Sequence, residues 1–88
     1  MQKNDSKVSN NEFEPSMKTL LRIMKIMSEK GGGGKTNLSL STNLNYGRFL
    51  KHISWLEQKG LVESIVKDGK INVALTTNGR QFVEIILK

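Results

Sequence analysis

Cysteine is absent, which excludes disulfides and thiolate metal sites, and a single histidine excludes a histidine-rich metal centre. No apolar run approaches the roughly 20 residues needed to cross a bilayer. No charged start leads into an apolar stretch, so the sequence shows no secretion signal and is expected to be soluble and intracellular. One histidine among scattered acids gives no nucleophile–base pairing, and no paired carboxylates occur at helical spacing. Catalysis is not expected, and no cofactor is implied.

What the chain has is basic charge. Its 88 residues allow one domain with a thin core. Fourteen Lys and Arg stand against eight Asp and Glu, for a net charge of +6. The first fourteen residues hold Lys3 and Lys7 against Asp5, Glu12 and Glu14, a sum of −1 that leaves +7 on the remainder. A compact domain with that excess is attracted to polyanions, nucleic acid first and acidic membranes second.

Residues 1–14 are polar and without periodicity, and read as a disordered, passive tail before a domain at 15–88. Pro15 and Ser16 open a first helix to about Glu29, with Met17, Leu20, Leu21, Met24 and Met27 on one face and Ile23 and Ile26 widening it. An apolar surface that wide predicts a helix wedged inside its own domain or a flank that meets a second subunit. Lys30 to Thr36 imitates a phosphate loop, but the required first glycine position holds Glu29 and the loop follows a helix. It reads instead as a flexible glycine connector. Lys35, Thr36 and the amides of the next helix remain candidates to hold a DNA phosphate.

Thr36 or Asn37 is expected to cap a second helix that carries Leu38 and Leu40 and ends near Thr42. Asn43-Leu44-Asn45 makes a turn, with Leu44 inward and Asn45 capping a third helix to about Lys59. Tyr46, Phe49, Leu50, Ile53 and Leu56 fall at helical spacing and predict its buried stripe, opposite Arg48, Lys51 and Trp55. Gly60 supplies a left-handed stop. Leu61–Val66 and Ile71–Leu75 read as strands joined by Lys67-Asp68-Gly69-Lys70. A last helix over Asn78–Leu87 is apolar almost all round through Phe82, Val83, Ile85, Ile86 and Leu87. It is expected to pack on the first helix, within the chain or across a dimer. The fold class is therefore α+β and mainly helical: a winged helix-turn-helix with a three-helix core, a two-stranded hairpin wing and a C-terminal helix.

In such a domain the third helix enters the major groove and its early outward residues meet bases. Those positions are Asn45, Gly47, Arg48 and Lys51, with Tyr46 at the helix start and His52, expected at the surface or its boundary, at the margin. Arg favours guanine through a two-pronged contact and Asn favours adenine. Lys67 and Lys70 flank the wing tip, where they meet phosphate or simply aid solubility. Trp55 is expected to pack under the hairpin, with partner contact as the alternative.

The stretches LNYGRFLKHISWLEQKGLVES and KINVALTTNGRQFVE resemble the small archaeal winged-helix DNA-binding proteins, which include transcriptional regulators and abundant ten-kilodalton chromatin-associated proteins. The resemblance covers Lys18 to Leu87. It rests on the glycine before the second helix, Leu44-Asn45-Tyr46, the Leu56–Val62 passage and Leu75–Arg80. It implies homodimers that bind double-stranded DNA through the third helix and wing, in the cytoplasm and on the nucleoid. Some members dimerise through a longer last helix that forms a coiled coil, which the residues to Lys88 do not supply, so the first and last helices would have to serve. Two other readings stay open: a winged helix used for protein interaction through Trp55 and the outer helices, and a chromatin-type binder that holds phosphates without sequence preference.

Overall fold

A computed structural model describes residues 13–87. Of the tail expected over residues 1–14, residues 1–12 lie outside the described residues, and Phe13 and Glu14 lie within them. Four helices, α1 (Met17–Lys30), α2 (Lys35–Thr42), α3 (Tyr46–Gln58) and α4 (Thr77–Ile86), pack with three strands, β1 (Gly33–Gly34), β2 (Val62–Lys67) and β3 (Lys70–Leu75). The sheet is antiparallel in the order β1-β3-β2.

Helix α1 starts where Ser16 Oγ accepts the Thr19 N–H at 3.2 Å, one residue after Pro15. It ends at Gly31, whose φ of 78° is left-handed. Leu20, Ile23, Met24 and Met27 are buried against α2, α4 and β3, so the helix is wedged within its own domain. Met17, expected on that face, is 58% exposed because it occupies the first turn, at the edge of the core.

The glycine stretch is more ordered in its pairing than a flexible connector. Gly33 and Gly34 pair with Val73 and Asn72, adding a third strand to the expected hairpin. Gly32 has φ of 96°, and a Cβ there would lie 2.7 Å from the Val73 carbonyl oxygen. Only glycine allows that approach of two backbones.

Helix α2 begins two or three residues earlier than expected. Its cap is Gly34, with no side-chain hydrogen bond, rather than Thr36 or Asn37. Leu38 is buried and Leu40 is 73% exposed. Asn43 closes the helix with φ of 59°, its N–H bonded to the Leu40 carbonyl and that of Leu44 to the Ser39 carbonyl. Ser39 Oγ donates to the Leu44 carbonyl at 3.2 Å, which ties the turn down.

Asn45 then caps α3, its Oδ1 accepting the Arg48 N–H at 3.1 Å. Leu44 before the cap and Phe49 four residues into the helix have the spacing of a hydrophobic staple, and both pack on the core. The helix ends as expected: Gly60 has φ of 75°, and the Gly60 and Leu61 N–H groups bond the Glu57 and Leu56 carbonyls.

Strands β2 and β3 turn through Asp68 and Gly69, both at positive φ, the geometry of a two-residue hairpin with right-handed twist. Val62, Val73 and Leu75 complete the core, whereas the cross-strand pair Val66 and Ile71 extends past it and is exposed. Helix α4 packs on α1 within the chain, burying Val83 and half-burying Phe82. Ile85, Ile86 and Leu87 stay exposed. No helix among the described residues is long and apolar enough to cross a membrane.

Candidate nucleic-acid interface

The buried side of α3 consists of Phe49, His52, Ile53 and Leu56, with Leu50 and Trp55 half-buried beside it. Two expectations change here. Tyr46, assigned to the buried stripe, is 45% exposed because it is the first residue of the helix, where the stripe runs past the end of the core. His52, expected at the surface or its boundary, is 2% exposed. At about 100° per residue it lies next to Leu56, at the edge of the stripe that Phe49, Ile53 and Leu56 define, so helical spacing puts it within reach of the core.

The ring of His52 is satisfied on both sides. Nδ1 lies 2.8 Å from the Arg48 carbonyl oxygen, which can only accept, so the proton sits on Nδ1. Nε2 is then free to accept the Ser16 N–H, at 3.3 Å. Phe13 meets the ring edge-to-face with centroids 5.1 Å apart. His52 thus joins the start of α1 to the first half of α3.

With His52 inside, the outward side of α3 is redrawn. Gly47, Lys51 and Ser54 are exposed along it, Arg48 is exposed on its flank, and Asn45 is exposed at its start. Ser54 was missed by a reading that followed large and charged residues; its place three positions after Lys51 is the signal that finds it. Trp55 leaves the outward set. It packs on the core cluster, and Lys59 Nζ lies 5.4 Å from its ring centroid.

Two neighbouring surfaces join this helix. A cleft of about 340 Å³ brings Lys35, Thr36 and Asn37 from α2 together with Tyr46 from α3 and Lys70 and Ile71 from β3. Four expected site residues from three separate elements therefore share one depression. Asn45, Gly47, Arg48, Lys51 and His52 line a second cleft of about 500 Å³, closed on its other side by Phe13, Glu14 and Ser16. Lys67 is exposed beside the hairpin turn and lines neither. Among the described residues, no three His, Cys, Asp or Glu side chains are grouped to hold a metal.

This arrangement, a turn-linked helix pair followed by a hairpin, defines a class. The sequence matches the winged helix-turn-helix family over residues 16–88, and the chain belongs to that family. Among solved structures it is similar to a MarR family transcriptional regulator from Silicibacter pomeroyi, at 24% identity and a TM-score of 0.71 over 78% of this chain and 48% of that one. A probable transcriptional regulator from Pseudomonas aeruginosa aligns at 19% identity and a TM-score of 0.71, over 75% and 52% of the two chains. A MarR family protein from Bacillus stearothermophilus aligns at 16% and 0.73, over 88% and 54%. At these identities the likeness is one of fold, and the chain spans about half the length of the structures it matches. No curated protein matches the sequence.

Proposed function

We propose that this protein binds double-stranded DNA by laying α3 in the major groove, as a transcriptional regulator. The observation that carries the reading is the convergence of Lys35, Thr36, Tyr46 and Lys70 in one cleft at the start of α3, the helix that also exposes Arg48 and Lys51. A basic cleft thus adjoins a helix whose outward side is small or polar at Gly47, Lys51 and Ser54. Arg48 and Lys51 contact base edges or phosphate, Asn45 and Gly47 lie against the groove, and Lys35, Thr36 and Lys70 together hold a backbone phosphate in their shared cleft. Tyr46, which lines the same cleft, contacts the sugar-phosphate chain there. Lys67 reaches the backbone from the wing tip. His52 supports this surface from beneath instead of touching DNA, since its ring is buried and both its nitrogens are engaged.

The protein acts as a homodimer through α1 and α4, a reading supported by the exposed Ile85, Ile86 and Leu87 on α4 and Met17 on α1. It works in the cytoplasm, on the nucleoid, and the Leu44-Asn45-Tyr46 turn supports an archaeal kinship. Use as a protein-interaction module has less support, because Trp55, its main anchor, is half-buried with Lys59 over its ring. The test is duplex binding by Arg48→Ala and Lys51→Ala proteins. Loss of binding with unchanged circular dichroism supports the reading, and unchanged binding contradicts it.

A further inference from the structure

The segment before α1 carries an acid onto the DNA-facing half of α3. Phe13 stands on the His52 ring and the Ser16 N–H is accepted by His52 Nε2, so both ends of the short stretch are fixed. Between them the exposed Glu14 forms part of the wall of the cleft of about 500 Å³ that Arg48 and Lys51 line from the other side. A carboxylate there opposes what those two bases do. It repels phosphate, and the repulsion falls on every duplex alike. In the major groove, however, a carboxylate accepts a hydrogen bond from the N4 amine of cytosine.

Resting on the DNA-binding reading above, we propose that Glu14 is a specificity-determining residue. It weakens binding that depends on phosphates alone, and the loss is offset only where the site presents a cytosine amine to it. Discrimination then arises from a repulsive element as much as from an attractive one. Phe13 and His52 are positioning residues for it, since they hold the segment beside α3.

The test uses the full chain and its Glu14→Gln and Phe13→Ala forms. Each is titrated against a random duplex and against the duplex that the unaltered protein selects from a randomised library. Glu14→Gln is expected to raise affinity for the random duplex by about threefold or more at low salt, with the gain shrinking as salt rises. The ratio of selected to random affinity falls, and a cytosine position disappears from the sequences this variant selects. Phe13→Ala shifts the ratio the same way, because the acid is no longer held in place. Unchanged affinities and selection with Glu14→Gln overturn the inference, as does an equal loss on both duplexes. Failure of the unaltered protein to bind any duplex removes the functional reading itself, an outcome distinct from normal binding that is indifferent to Glu14.

Discussion

Thr76 Oγ1 donates to the Gly60 carbonyl at 2.6 Å and accepts the Gly79 N–H at 3.0 Å, so one hydroxyl joins the end of α3 to the start of α4. The Thr76 N–H adds a bond to the Leu61 carbonyl at 3.0 Å. The passage from α3 into the hairpin and the passage from the hairpin into α4 are thereby one connected structure. The Leu56–Val62 and Leu75–Arg80 stretches, on which the resemblance partly rests, are thus the two halves of one structural junction. Replacing Thr76 by Val removes both hydroxyl bonds and should cost about 1–2 kcal/mol in urea unfolding. Serine in its place should restore most of the loss.

Gly79 is fixed by the same junction. A Cβ on it would fall within the radius of the Leu61 carbonyl oxygen, which is backbone and cannot swing away. Gly79→Ala should therefore destabilise the domain by about 3 kcal/mol. Gly47, whose Cβ would meet only the Asn45 side chain at 3.2 Å, should tolerate alanine far better in the same assay.

His52→Ala deletes a buried ring and leaves the Ser16 N–H without its acceptor. We expect a loss of about 2 kcal/mol, read by thermal or urea unfolding. Lys51→Ala, one position away but exposed, should shift stability by less than about 0.5 kcal/mol.

The exposed α4 residues carry a prediction about mass. If Ile85 and Ile86 lie in a dimer interface, replacing both by Glu converts the sedimenting species to a monomer while helix content holds. An unaltered sedimentation coefficient would remove α4 from the interface.

Much of this fold was legible in the sequence because its signals are local. Asn45 as a cap, Gly60 as a stop and Asp68-Gly69 as a turn each act within a few residues, and each stands where the sequence puts it. The Gly33–Gly34 strand was not legible. Its residues carry no side chains to pattern, and its partners Val73 and Asn72 lie some forty residues away along the chain. His52 was read from its polarity rather than its position on the helix wheel, and burial followed position because two backbone groups satisfied the ring. Tyr46 erred the other way, an aromatic at helical spacing that the core leaves exposed. At the site, the basic residues of α3 and the wing could be named from the sequence. That Lys35 and Thr36 share a cleft with Tyr46 and Lys70 depends on strand β1 drawing the start of α2 beside β3, and tertiary pairing of that kind leaves no local mark.

The most direct measurement is the fluorescence anisotropy of a labelled duplex titrated with the unaltered and the Arg48→Ala, Lys51→Ala proteins across about 50 to 200 mM salt. The account predicts binding that weakens steeply with salt. It also predicts that the double replacement lowers affinity and flattens the salt slope by about one unit for each phosphate that is no longer neutralised. A preference of about a thousandfold for promoter over random duplex marks a regulator, and equal affinities mark a chromatin-type binder. Absence of binding at low salt, or a double variant that binds as the unaltered protein does, would contradict the central claim that α3 enters the groove.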